Sequence, residues 1–287
     1  MIGSTRPPEG GGVRAEAASS ASTATAGPSA VPPAPAADPA CPEDMVLAKG
    51  RYCPKVQHHC EQHTREYEQA KKRRAERIAK GERPGPLRAV ERCLRFREPS
   101  LCLADRVSLR FCIDRYEWPN RVGEKPSLLV SWTEAKSLCE AKGKRLCTAD
   151  EFNFACEGEA MLPYSYGHER DPSRCNIDKP YVTPGRQHLL PEPVCHTTPW
   201  CAAELSKLDK RVPIGSTRDC TSPFGAHDLN GNVNEWVVRQ GVAPKRSGLK
   251  GGWWGPARSR CRPMVTAHDE SYLGYEVGFR CCKGAGP

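Results

Sequence analysis

At 287 residues the chain can hold one large domain or two small ones, and 25 Gly and 27 Pro against 7% aromatic side chains imply much loop and turn. A net charge of +9 invites a nucleic-acid partner, but much of the excess sits in residues 65 to 97 with few aromatics interleaved, so nucleic acid is not the expected ligand. Sixteen cysteines without one Cys-x2-Cys pair argue against zinc ribbons and fingers and for disulfides, hence for an extracytoplasmic compartment: periplasm, cell surface or exterior.

Residues 1 to 40 are Ala, Pro, Ser, Gly and Thr with almost no large apolar side chain, a composition that cannot offset the entropy of ordering. They read as a disordered tether. This stretch lacks the apolar core of a signal peptide, so an export signal or lipid anchor is expected upstream or already removed. No stretch has the apolar length of a transmembrane span.

The folded part is expected from residue 41 to 287. Residues Arg65 to Gly81 are strong helix formers, polar nearly all round, closed by Gly81 and followed by Pro84. They predict a solvated basic helix. His59, His63 and Glu66 would share one face if the helix ran through them. The spacing is near that of the His-x3-His-x-Glu iron motif of ergothioneine-forming sulfoxide synthases, but it differs by one residue, and exposed histidines beside a disulfide are the preferred reading.

Two helices are predicted across residues 133 to 156. Ser131 or Thr133 caps the first, Ala135, Leu138 and Cys139 line its inner face, and Gly143 closes it. Thr148-Ala-Asp-Glu151 is a capping box for the second, whose inner stripe is Phe152, Ala155 and Cys156. Residues 163 to 199 read as loop. Asn, Asp and Gly then crowd residues 228 to 235, which suits a tight loop, and the apolar run from Trp236 to Val238 predicts a buried strand after it.

Three signals stand in one run: Asp228-Leu-Asn-Gly-Asn-Val-Asn-Glu-Trp236, Lys250-Gly-Gly-Trp-Trp254 and Gly278-Phe-Arg-Cys-Cys282. They resemble the GNxWEW loop, RGGSW strand and closing GFRC of the formylglycine-generating enzyme family, the sulfatase-modifying factors. Upstream, Val130 to Phe152 resembles that family's VSWxxAxxYCxWxGKRLPTExEW, Phe111 to Asn120 its FxIDKYEVTN, and Met45 to Gly50 its MVxIPGG. The resemblance implies an α+β, loop-rich, disulfide-stapled fold related to C-type lectin domains. It also implies an N-terminal hairpin from Met45 to about Val56, and it makes residues 61 to about 102, basic helix included, an insertion.

What the family does is only partly implied for this chain. Its members oxidise a peptidyl cysteine to formylglycine, with copper(I) held between two cysteines after the RGGSW strand; soft thiolates suit that ion. Here the only cysteine of that interval is Cys261. The family's two structural disulfides map onto Cys139 with Cys281 and Cys156 with Cys261, which would leave no reactive pair and make copper an unlikely cofactor. Trp253 replaces the serine of the oxygen pocket, and with Trp254 it is expected to line the groove. A retained structural calcium is implied at Asp228, Gly231, Val233 and Glu235, with Asn176 and Ile177 matching part of a second calcium site. The expected function is a catalytically inactive, exported module that binds a peptide, protein or glycan. The alternative is a thiol oxidase with a rearranged cysteine set, such as the vicinal Cys281 and Cys282.

Overall fold

The computed structural model describes residues 39–87, 89–185 and 188–287. All but the last two residues of the expected tether lie outside them. Two sheets form the centre. Strand β1 (Met45–Tyr52) alternates inward and outward as a half-buried strand does, sending Val46, Ala48 and Tyr52 into the core. The short strands β2 (Val56–Gln57) and β3 (Cys60–His63) follow, then helix α1 (Arg65–Ala79), β4 (Cys93–Phe96) and β5 (Leu101–Cys102). The chain returns as β6 (Val107–Asp114), which pairs antiparallel with β1 from Met45↔Asp114 to Tyr52↔Val107. The hairpin expected within residues 45 to 56 is therefore not formed. The partner of β1 is supplied from beyond the insertion, and β2 pairs with β5.

Helix α2 (Trp132–Glu140) is capped by Ser131, whose hydroxyl accepts from the Glu134 amide. After β7 (Arg145–Leu146), helix α3 (Ala149–Glu157) opens on the Thr148 and Glu151 capping box, with both reciprocal bonds present. Residues Glu151 through Glu157 are all buried, so α3 is the hub of the core. The segment read as loop contains α4 (Glu192–Thr197), followed by α5 (Pro199–Leu208); the two are joined by Cys195–Cys201. Then come β8 (Asn234–Val238), β9 (Ser247–Lys250), β10 (Val277–Phe279) and β11 (Cys281–Gly284). The larger sheet runs β1-β6-β11-β7 and the smaller β10-β8-β9.

All sixteen cysteines are paired. Adjacent residues in a strand point to opposite faces, and β11 uses this directly. Cys281 bonds Cys139 of α2 on one side, and Cys282 bonds Cys147 ahead of α3 on the other. Cys156 of α3 bonds Cys261. The insertion is stapled twice, by Cys53–Cys102 and Cys60–Cys93. Those staples matter because α1 buries only Ala70 and has little packing of its own. His59, His63 and Glu66 do not share a helix face: His63 ends β3 and lies 2.9 Å from Glu68, while Glu66 pairs with Arg92.

Candidate functional site

The loop at 228 to 235 is shaped by backbone that most side chains avoid. Asp228 and Asn232 have φ of 58° and 55°, and Gly231 has 89°. A Cβ on Gly231 would meet the Asn176 carbonyl oxygen at 2.5 Å, so glycine is required for the two loops to touch. They are joined by the Asn232 amide, which donates to the Asn176 carbonyl at 3.0 Å, and by Asn176 Nδ2, which donates to Asn232 Oδ1 at 3.0 Å. The fold thus brings Asn176 and Ile177 against the residues expected to hold the first calcium.

Three carboxylates meet behind this loop. Glu117 accepts from Asn232 Nδ2 at 2.6 Å and from the Val233 amide at 3.0 Å. Asp228 accepts from the Thr217 hydroxyl through Oδ1, and its Oδ2 has no partner. Glu235 is held at both oxygens by Arg280. All four charged side chains are at most 1% exposed. Burial, with Asp228 and Glu235 nearby, pushes Glu117 well above the usual carboxylate range. Burial also pushes Asp228 up to about 7, against the pull of Thr217 and Arg280. Sequence pattern did not single out Glu117, although it stands in the quoted Phe111 to Asn120 block. Its role depends on burial and on where Asn232 points.

As a place for calcium, the residues around Asp228 fit. The unpartnered Asp228 Oδ2 is a hard oxygen of the kind calcium takes, with the Gly231 and Val233 carbonyls the further expected donors. Asn176 Oδ1 likewise lacks a partner. Glu235, expected as a calcium ligand, is instead taken by an internal cation, since Arg280 occupies both its oxygens. Among the described residues, no three His, Cys, Asp or Glu side chains form a metal-holding group, so a metal there depends on backbone carbonyls.

The expected groove is built by the segment after β9. Its backbone turns sharply at Gly251 and Gly252, with φ of 80° and 81°. The Trp253 ring then folds over Gly255, where a Cβ would meet it at 2.3 Å. Trp253 is half-buried and stands edge-on to Tyr181 and Tyr275. It lines a cleft of about 700 Å3. Trp254 does not line this cleft. It faces the other way, 1% exposed, among Leu128, Leu129, Leu205 and Val233, and belongs to the core.

A sulfatase-modifying factor enzyme 1-like domain matches residues 113–285, more than half of the chain. The chain belongs to this family. Two curated relatives, from Bos taurus and Mus musculus, are each named inactive C-alpha-formylglycine-generating enzyme 2. They are 29% and 28% identical over 172 residues, which is 57% of this chain and 52% and 50% of theirs. The chain spans about half the length of these relatives. Among solved structures, CarF has a TM-score of 0.44 at 16% identity, covering 62% of this chain and 88% of its own. PvdO from Pseudomonas aeruginosa has a TM-score of 0.44 at 17% identity, covering 87% and 100%. Within the family frame, Cys261 is the single cysteine between β9 and β10, and it is bonded to Cys156 with both residues fully buried.

Proposed function

We propose that this chain is a catalytically inactive sulfatase-modifying-factor module that works outside the cytoplasm as a binding domain for a peptide, protein or glycan, with its ligand in the cleft beside Trp253. The observation that carries this reading is the state of the cysteines: all sixteen are in disulfides, so no thiolate pair stands near Trp253 to hold copper(I). Cys281 and Cys282, the alternative redox pair, are bonded to two different partners in the core. Eight disulfides favour an oxidising compartment, and no described helix is long and apolar enough to cross a membrane.

Calcium belongs to the same reading as a structural ion. Arg280 balances Glu235, so a cation at Asp228 would replace the proton that burial favours there. The activity test is to load the protein with copper(I) in air beside a cysteine-containing peptide and follow the peptide by mass spectrometry. No aldehyde and no stoichiometric copper are expected. Formation of either would establish the oxidase in place of the binding module.

A further inference from the structure

The cleft beside Trp253 has two walls of different origin. One is the family segment after β9; the other is the insertion, through Glu66 of α1 and through Ala89, Val90 and Arg92 ahead of β4. A second hollow of about 480 Å3 adjoins it, shares Ala89, Val90 and Arg258, and adds Tyr67 of α1. Volumes of this size suit a small ligand or a few side chains.

The charges along this path are unbalanced. Arg92 is occupied by Asp178 and Glu66, and Arg260 by Glu91. Arg258, common to both hollows, is exposed and makes no ion pair among the described residues. Tyr67 is followed on the same helix face by Lys71, whose Nζ lies 5.6 Å from the Tyr67 ring centroid, and then by Arg74. Lys71 is paired with Glu68 at 3.3 Å and Arg77 with Glu82 at 2.6 Å, whereas the exposed Arg73 and Arg74 make no ion pair among the described residues, and Arg74 lies three residues from Lys71, a spacing at which like charges repel. An anionic partner would relieve that repulsion.

We infer that the insertion and the Trp253 segment form one site for an acidic peptide. An apolar side chain of the peptide enters the cleft between Trp253 and Val90, and flanking carboxylates meet Arg258 and the Tyr67, Lys71 and Arg74 stripe. The inference rests on the binding-module reading above and adds the class of ligand. A peptide is favoured over a sulfated glycan because the cleft walls are largely apolar, with Leu249 and Val265 beside Trp253 and Val90, and the free guanidinium stands at their edge.

The test is selection of random displayed peptides on the immobilised full chain without reductant, followed by fluorescence polarisation of labelled winners. The expected winners carry Asp or Glu on both sides of an apolar residue. Their affinity falls at least tenfold with Arg258→Glu, and again with the pair Lys71→Glu and Arg74→Glu, and it weakens as salt is raised. Val90→Trp, at a half-exposed position outside the core, abolishes binding. Winners without acidic bias that Val90→Trp still blocks would overturn the ligand class and leave the binding module standing. Absence of winners would overturn the acidic-peptide site, and winners indifferent to Val90→Trp would overturn both that site and the placing of the ligand in the cleft. A heparin-derived oligosaccharide that binds more tightly than every winner in an Arg258-dependent way would replace the peptide with a sulfated glycan.

Discussion

Arg280 reaches Glu235 through bonds of 2.6 and 2.7 Å, and both side chains are 1% exposed. The same guanidinium donates to the carbonyls of His227 and Asp114, so it ties the loop, β8 and β6 to the closing strand segment. Removing one partner of such a pair leaves an uncompensated buried charge, which costs about 3 to 5 kcal/mol. Arg280→Met and Glu235→Gln should each lower the free energy of urea unfolding by about that much. The double variant should cost less than their sum. Single losses below about 1 kcal/mol would mean that the pair is not the clasp of this loop.

Asp228 gives the loop a pH signature. Its folded pKa of about 7 lies above the ordinary aspartate value of 3.8, so the native state binds the proton more tightly. The stability this brings is fully present below about pH 4 and is lost as pH rises through 7. His227, lowered to about 4 chiefly by burial and by Arg280, acts in the opposite sense: its contribution is present above 6.5 and is lost as pH falls through 4. The test is therefore a difference. Asp228→Asn should remove the decline in Tm that this group adds between about pH 4 and 7 and leave the acid limb due to His227.

A calcium ion in this loop would compete with the proton for the same oxygen. Chelator should lower Tm at about pH 8, calcium should restore it better than magnesium, and the effect should shrink near pH 5 as Asp228 takes its proton. Asp228→Ala with Glu235→Gln should abolish the response. Identical melting curves with chelator and with calcium at pH 8 would leave the Arg280 pair and a protonated Asp228 as the whole account of the loop.

The adjacent tryptophans should separate cleanly in a stability assay. Trp254 is core, and Trp254→Ala should cost about 3 to 5 kcal/mol through lost contacts and the cavity left behind. Trp253 is half-buried at the cleft, so Trp253→Ala should cost less while weakening ligand binding. Equal costs in denaturant unfolding would contradict this division.

The contrast between Trp253 and Trp254 also shows where sequence reading stops. Caps are local chemistry, so Ser131 and the Thr148 and Glu151 box located α2 and α3 closely, and the apolar run from Trp236 located β8. Which of two neighbouring indoles faces the core is decided by the turn at Gly251 and Gly252, and the pattern of residue types does not record it. The β1 partner lies beyond an insertion, and a hairpin between near neighbours is the default that nonlocal pairing replaced. Helix α4 begins with Glu192-Pro193, in a stretch whose Pro and polar residues pointed to loop. The third carboxylate of the loop, Glu117, stands in a motif that could be quoted, but only the tertiary contact with Asn232 gives it a role.

The staples of the insertion and of the core should differ in consequence. In the chain-entropy model the Cys147–Cys282 bond, with separation 135, is worth about 5 kcal/mol, and Cys60–Cys93, with separation 33, about 4. Replacing Cys60 and Cys93 by serine should make α1 a protease target while near-ultraviolet circular dichroism of the core is preserved. Loss of the core signal would show that the insertion and the family fold are one cooperative unit.

Catalytic inactivity follows from the absence of a thiol pair, and alkylation of the denatured, unreduced protein followed by intact-mass measurement tests it most directly. The structure predicts no alkylated cysteine, with peptide mapping recovering Cys139–Cys281, Cys147–Cys282 and Cys156–Cys261. Two alkylated cysteines, with Cys261 among them, would contradict it and restore the oxidase.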